Sequence, residues 1–248
     1  MTDIDRNPAP GTPRWRYKGV PVPYIAAWSA ELATDIASND LILRTNPFTG
    51  QAQVRYRDEH PIDRDRHGIL WHRVANAPGH GEPMFAEIHT HRQRRAMSRA
   101  LCQICTDPAE LWMTPEMLWE EHRAKHGPGA PYPTFDPPVC RNCAELAARH
   151  CPELGRGHLY LAPRAWAITA VRGQIADPVR GGFSQPSTLA LPNATRTPDH
   201  TALRLILAKG LITTLYGVEP YRDPGAVTGL GDRLDGPTGL HRGARAPR

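Results

Sequence analysis

Four of the five cysteines form two C-x2-C pairs, Cys102 with Cys105 and Cys140 with Cys143, and 34 residues separate the pairs. Two sulfurs three positions apart can turn toward one point, and four thiolates satisfy the tetrahedral coordination of structural Zn²⁺ sites. This spacing suits metal binding better than a disulfide framework. The sequence therefore predicts one structural Zn²⁺ per chain, bound by these four cysteines.

A second ligand set combines the first cysteine pair with two histidines. It consists of Cys102, Cys105, His122 and His126. Its inner spacing of 16 residues exceeds the value of about 12 that is common in Cys2His2 fingers. This set would also leave the second cysteine pair without a role, and a chain without any metal is the third alternative. The fifth cysteine, Cys151, falls on an apolar helix face and is predicted to pack in the core.

The second cysteine pair stands where a helix is predicted to begin. Small residues recur there at i, i+3, i+4 and i+7, namely at Ala144, Ala147, Ala148 and Cys151. The free N–H groups and the dipole of a helix start favour thiolates. The order of a knuckle, a hairpin and a C-x2-C that opens a helix resembles the treble-clef zinc fold over about residues 100–152.

That resemblance implies a structural zinc site without an open coordination position. Treble clefs serve nucleic-acid binding, protein binding and, in the HNH family, DNA cleavage. The flanking segments RQRRAMSRALCQIC and PPVCRNCAELAARHCP are also similar to segments of proteins from actinobacteria and their phages. This second likeness implies no particular activity.

Two histidine motifs keep catalytic alternatives open. His80 and Glu82, taken with the second cysteine pair, resemble the zinc deaminase signature, although Val139 interrupts that signature here. His89 and His91 precede the knuckle in a manner similar to HNH nucleases, but the Asp-His pair of that family is missing. An HNH-like nuclease or a deaminase is thus one alternative, and the sequence favours a non-enzymatic role.

A basic run directly before the knuckle is the strongest binding feature. It comprises Arg92, Arg94, Arg95 and Arg99. Because guanidinium groups recognise phosphates through a planar fork of donors, the run predicts nucleic-acid binding, in a regulatory role. A solvated helix face in an arginine-rich chain is the simpler alternative, since only three of the 30 basic residues are lysines.

The prediction for the whole chain is an α+β fold built around a small zinc-stabilised, treble-clef-like module. Five consecutive segments follow from composition and periodicity. They are a disordered start at 1–13, a helix and β-hairpin region at 14–86, the zinc module at 87–155, a strand and helix region at 156–221, and a disordered tail at 222–248. Within the second segment, the pattern predicts a helix at about 24–37 and a hairpin at 41–56.

A nearly all-apolar stretch near the C-terminus predicts a helix at 199–216 that is buried in the fold or in a contact with another protein or a second copy. It motivates the main alternative function, a protein-interaction or structural component of a phage or mobile element. No segment reaches 18 apolar residues, so no membrane partner is expected. The start of the chain lacks the pattern of a signal peptide, and the expected location is the cytoplasm.

Overall fold

The computed structural model describes residues 2–4, 9–32, 40–195 and 198–223. The disordered tail predicted at 222–248 lies outside the described residues from 224 onward. Most of the predicted disordered start at 1–13 is described, and Thr2–Ile4 there forms a strand. The chain divides into two compact units. The first unit contains residues 1–24, 95–168 and 213–248, and the second unit contains residues 25–94 and 169–212. Each is described by itself below.

Helices and strands are mixed along the chain, as expected from the sequence. The strands are β1 Thr2–Ile4, β2 Trp15–Tyr17, β3 Val20–Val22, β4 Ala26–Trp28, β5 Leu41–Thr45, β6 Ala52–Tyr56, β7 Leu70–Trp71, β8 Pro83–Ile88, β9 Trp112–Pro115, β10 Tyr132–Thr134, β11 His158–Ala162, β12 Ala165–Ile175, β13 Ser187–Ala190, β14 Ile206–Tyr216 and β15 Glu219–Tyr221. The α-helices are α1 Ser29–Leu32, α2 Thr90–Ser98, α3 Glu116–His126, α4 Arg141–His150, α5 Pro152–Gly155 and α6 His200–Leu205. None of these helices is long and apolar enough to cross a bilayer.

The first unit contains two small antiparallel sheets, ordered β1-β2-β3 and β15-β11-β9. In addition, β10 pairs with the end of β14, where Thr134 lies opposite Thr213. An aromatic cluster packs beside these strands, with Trp119 of α3 tilted against Tyr132 at a ring separation of 5.4 Å. The hydroxyls of Thr114 and Tyr132 are hydrogen-bonded at 2.7 Å, which satisfies both inside the core.

The second unit is built on a hairpin and several strand pairs. β5 and β6 form the antiparallel hairpin expected between 41 and 56, with Leu41 opposite Tyr56. β7 lies parallel to the start of β14, and β12 pairs with β13. A buried cluster holds them together: Val54, Tyr56, Leu70, Ala176 and Leu207. Gly173 permits a close approach here, because a Cβ at that position would lie 2.3 Å from the carbonyl oxygen of Leu207.

The predicted helix at 199–216 is wrong over most of its length. Only His200–Leu205 is helical, and Ile206–Tyr216 is strand β14. A strand buried on both faces is apolar at nearly every position, and such a run cannot be told from a buried helix by periodicity alone. The described part of this stretch therefore does not form the predicted contact helix.

The predicted helix at 24–37 also differs from the structure at its start. Ala26–Trp28 is a strand that pairs with β8, and helix α1 begins only at Ser29. Pairing with β8 overrides the local helical spacing of the apolar residues in this segment. Residues 33–39 lie outside the described part of the chain.

Candidate metal centre

The four cysteines of the two pairs meet at one point in the first unit. All four sulfur atoms lie within 4.8 Å of one another. The Sγ atoms of Cys105 and Cys140 are 3.7 Å apart. Four Zn–S bonds of about 2.3 Å in a tetrahedron place the sulfurs about 3.8 Å from each other, so the observed spacing fits a bound metal ion.

A tight turn after helix α2 positions the first pair. The N–H of Thr106 donates to the carbonyl of Cys102 at 3.0 Å, and the N–H of Cys102 donates to the carbonyl of Asp107 at 2.7 Å. Two further N–H groups point at sulfur, from Ile104 to Cys102 at 3.4 Å and from Asp107 to Cys105 at 3.5 Å. Such donors stabilise negative charge on the thiolates and fix their direction.

Helix α4 positions the second pair. Cys140 is the residue that caps its N-terminus, and Cys143 lies in its first turn. The N–H of Gln103 donates to the carbonyl of Pro138 at 2.9 Å, which joins the first turn to the segment that precedes the helix. The positive end of the helix dipole therefore faces the cluster and favours thiolates there.

Apolar side chains cover most of the cluster, and Cys140 is its half-buried member. Cys102 and Cys143 are fully buried, and Ile104, Leu111 and Val139 pack around them. Exclusion of water strengthens metal–thiolate attraction, since the local dielectric constant is low.

The N-terminal segment also contacts the cluster. The carbonyl of Gly11 lies 3.4 Å from the sulfur of Cys143, and the N–H of Gly11 donates to the carboxylate of Asp107. Gly11 has φ +74°, and a Cβ there would lie 2.6 Å from the Asn142 side chain. This position therefore requires glycine for both conformation and space.

Crowding of four thiols drives their pKa values apart. Hydrogen bonds from neighbouring cysteines, Cys105 first, lower the pKa of Cys102. The hydrogen bond with Cys102 is the largest cause that raises the pKa of both Cys105 and Cys143. Four adjacent negative charges are unstable unless a cation neutralises them, and a bound divalent metal deprotonates its thiol ligands. The group is therefore chemically suited to hold a soft metal ion.

The side chains of the alternative ligand sets lie outside the sulfur cluster. His122 and His126 stand one turn apart on α3 with ring centres separated by 4.7 Å, and neither belongs to the sulfur cluster. Cys151 is also outside it. Within the described ranges, the four cysteines are the one group of three or more metal-ligating residues, so His80 and Glu82 join no such group.

His89, one of the two histidines of the HNH-like motif, is enclosed in the second unit. Its Nε2 donates to the carbonyl of Ala75 at 2.9 Å, and its side chain is fully buried. Burial, followed by the nearby charge of Arg92, lowers its pKa to about 4. This histidine is neutral at physiological pH and is occupied by protein contacts.

The four arginines of the basic run have different environments. Arg92 is buried and bonded to Glu31. The guanidinium of Arg94 lies 3.7 Å from the centre of the Trp71 ring, in a cation–π contact. Arg95 and Arg99 are exposed. The surface that a phosphate can contact is thus smaller than the sequence run suggests.

Between the first knuckle and α4, the chain forms β9, α3 and β10 in place of a hairpin. Among the described residues, β9 pairs with β11 and β10 pairs with β14. The two cysteine turns and the helix after the second pair are present, but the hairpin between them is not, so the predicted treble-clef fold is not confirmed.

No family profile, curated protein or solved structure matches this chain. The likeness to actinobacterial and phage proteins therefore gains no support from them. The fold and the cluster define a mixed α and β protein with a four-cysteine centre positioned to bind a metal ion.

Proposed function

We propose that the chain is a non-enzymatic nucleic-acid-binding protein whose first unit is stabilised by one structural Zn²⁺. The closed sulfur cluster carries this proposal. Four thiolates complete a tetrahedron, whereas a catalytic zinc retains a position for water or substrate. The metal therefore supplies folding energy, and the surface around it supplies binding.

The donor set favours zinc among soft metals. Tetrahedral sulfur ligation suits Zn²⁺ or iron, while oxygen-rich sites suit magnesium and calcium. Zn²⁺ has no redox chemistry and is the metal that structural four-cysteine sites most commonly hold, which fits a purely structural role. Metal analysis of the purified protein distinguishes zinc from iron directly.

Exposed arginines next to the cluster support the binding surface. Arg95 and Arg99 lie one helical turn apart, and the knuckle begins three residues after Arg99. Arg141 and Arg149 are also exposed, on helix α4, which carries the second cysteine pair. Together with the net charge of +5, these side chains favour a polyanionic partner.

A salt titration tests this proposal. Affinity for mixed-sequence duplex and single-stranded nucleic acids is measured at several salt concentrations, for the wild type and for the double variant Arg95→Ala, Arg99→Ala. The slope of log affinity against log salt is negative, and each phosphate contact contributes about −0.9 to it. Loss of two contacts should therefore make the slope less steep by about 1.8.

A charge-matched control removes two arginines that already have carboxylate partners. Arg156 pairs with Glu153 and Arg164 pairs with Glu219, all at the surface of the first unit. The variant Arg156→Ala, Arg164→Ala should keep the wild-type slope. A wild-type protein that binds none of these nucleic acids at low salt, or equal slopes in the wild type and the Arg95, Arg99 variant, would refute the proposed surface.

A further inference from the structure

One face of the hairpin of β5 and β6 is apolar, and the other carries three polar side chains beside Ile42. Residues directly opposite each other in an antiparallel pair share a face. Leu41 pairs with Tyr56 and Leu43 pairs with Val54, and this face is buried at Val54 and Tyr56. The Tyr56 hydroxyl also donates to the carbonyl of Trp71 at 3.2 Å, so the base of the hairpin is firmly attached to the second unit.

The other face carries donors for nucleic-acid recognition. Arg44 lies opposite Gln53, and Arg55 follows on the same side, opposite Ile42. Residues 41–57 contain three arginines and no acidic residue. Arg44 is exposed and takes part in none of the ion pairs in the described part of the chain. The hairpin is thus a basic two-stranded ribbon whose charge favours an anionic partner.

The tip of the ribbon presents an aromatic ring to solvent. Phe48 is 96% exposed, although burial of a phenylalanine is normally favourable. The Asn46 side chain accepts hydrogen bonds from the N–H of Phe48 at 2.9 Å and of Thr49 at 3.3 Å, and Gly50 closes the turn. The ring is therefore held outward by an ordered turn, which lowers the entropy cost of inserting it into a partner.

We infer that this ribbon enters the major groove of duplex DNA, an assignment that rests on the nucleic-acid-binding function proposed above. The major groove of B-form DNA is about 12 Å wide and admits a two-stranded β-ribbon. Arginine bonds the guanine edge, glutamine bonds the adenine edge, and phenylalanine contacts the thymine methyl group. Arg44, Gln53 and Phe48 supply these three chemistries along one ribbon.

Groove geometry distinguishes DNA from RNA as the partner. The major groove of A-form RNA is deep and narrow, so a ribbon of this width cannot reach its base edges. Double-stranded DNA should therefore bind more tightly than double-stranded RNA of the same sequence. If the ribbon instead binds a protein, the chain should not bind double-stranded DNA more tightly than double-stranded RNA.

The test uses the full-length, zinc-loaded protein and a pool of short random DNA duplexes from which bound sequences are selected. Affinity for the selected duplex is then compared between the wild type and the single variants Arg44→Ala, Gln53→Ala and Phe48→Ala. Each loss of a base contact should weaken binding to that duplex about tenfold or more, with a smaller effect on unselected DNA. Dimethyl sulfate should show protection of guanine N7, which lies in the major groove.

Arg66→Ala is the matched control, because Arg66 is an exposed arginine of the same unit outside the ribbon. It should bind the selected duplex as the wild type does. Thermal unfolding confirms that each variant is folded. If the wild type binds DNA but the ribbon variants equal the control and guanine N7 stays reactive, the ribbon assignment is wrong while the general function stands. If the wild type binds no nucleic acid, the proposed function fails and the ribbon assignment fails with it.

Discussion

Glu31 and Arg92 form a two-point ion pair in the interior of the second unit. The two carboxylate oxygens lie 2.8 and 2.5 Å from the two terminal guanidinium nitrogens, and the residues are 0% and 4% exposed. Glu31 also accepts N–H groups from Trp28 at 2.8 Å and Ala77 at 2.9 Å, while Arg92 donates to the carbonyl of Ala26 at 2.8 Å. The pair thus connects helix α2 with two segments that are distant in sequence.

Glu31→Ala should destabilise the protein by about 3 to 5 kcal/mol, because it leaves the guanidinium of Arg92 buried without a counter-charge. The measurement is the free energy of unfolding from urea titration at neutral pH. The control is Glu153→Ala, since Glu153 pairs with Arg156 at an exposed surface and such pairs contribute about 0 to 1 kcal/mol. Equal effects of the two substitutions would mean that the buried pair contributes no more than a surface pair.

The pKa of His89 predicts a loss of stability in mild acid. Its folded-state pKa is lowered to about 4 by burial and by Arg92, below the ordinary value of 6.5. Between these values the unfolded chain binds a proton that the folded protein does not, so stability falls as pH decreases from 6.5 to 4. The expected total is about 3 kcal/mol, from about 1.4 kcal/mol per pH unit. Above pH 6.5 both states are neutral at His89, and the effect vanishes.

Urea titrations across this pH range should show the loss in the wild type and a weaker slope in His89→Gln. His67→Gln is the control, because His67 is exposed on a loop of the same unit. Acid release of the metal affects every variant alike and therefore cancels in the difference between the wild type and His89→Gln. Parallel pH profiles for those two proteins would contradict the assignment of the slope to His89.

Protonation of Glu31 should cause a second loss of folding stability, at lower pH. Burial acts to raise its pKa, but hydrogen bonds from Arg92 and from the N–H of Trp28 outweigh burial and lower the pKa below 4.5. A carboxyl with a lowered folded pKa contributes stability that is present above its unfolded value and is lost as pH falls through the folded value. Urea titrations should therefore show that the Glu31→Ala variant loses less stability than the wild type as pH falls below 4.5.

The metal centre could be predicted from sequence because its signal is local. Two C-x2-C pairs identify the four sulfurs, and the small-residue periodicity after Cys140 identifies the helix that carries the second pair. The pairing of Glu31 with Arg92 leaves no such signal, since the residues are 61 positions apart. An arginine at an inward-facing helix position cannot be told from a surface arginine without knowing its partner. For this reason the sequence predicts one basic surface where the structure has two exposed arginines.

Strand β14 is a secondary-structure element that the sequence alone could not identify. Its residues are buried at nearly every position, and this gives a continuous apolar run with neither a period of 2 nor a period of 3.6. Its pairing with the neighbouring strands β7, β10 and β12 determines that the run is a strand. The hairpin at 41–56 was predictable, because a turn containing Pro and Gly separates its two strands.

Gly11→Ala should weaken the contact between the N-terminal segment and the sulfur cluster. Alanine at φ +74° costs about 1 to 2 kcal/mol, and its Cβ would also displace Asn142. Gly19→Ala is a matched control, because Gly19 has φ +80° and open space around it. The measurement is the rate at which the protein releases zinc to a coloured chelator, together with thermal unfolding.

We expect faster release for Gly11→Ala than for Gly19→Ala, and partial recovery in the double variant Gly11→Ala, Asn142→Ala. The recovery isolates the steric part, because the second substitution removes the displaced side chain but not the backbone strain. Identical release rates for the two single variants would mean that the segment around Gly11 does not protect the cluster.

Metal analysis of the double variant Cys140→Ser, Cys143→Ser tests the centre itself. The wild type should contain one zinc per chain by mass spectrometry, and the variant should contain none. Because zinc binding contributes on the order of 10 kcal/mol to the folding of small zinc modules, loss of the metal should unfold the first unit, where the four cysteines form part of the buried core. Hydrogen exchange should localise the unfolding to the first unit, that is to the described residues of 1–24, 95–168 and 213–223.

Cys151→Ser is the control for the loss of a thiol, since Cys151 lies outside the sulfur cluster. It should keep one zinc and the wild-type exchange pattern in the first unit. Iron in place of zinc would retain the four-cysteine site but change its metal, and iron would also give a visible charge-transfer absorption that zinc lacks. A Cys140→Ser, Cys143→Ser protein that still binds one zinc would require ligands other than these four cysteines, and the site described here would then be wrong.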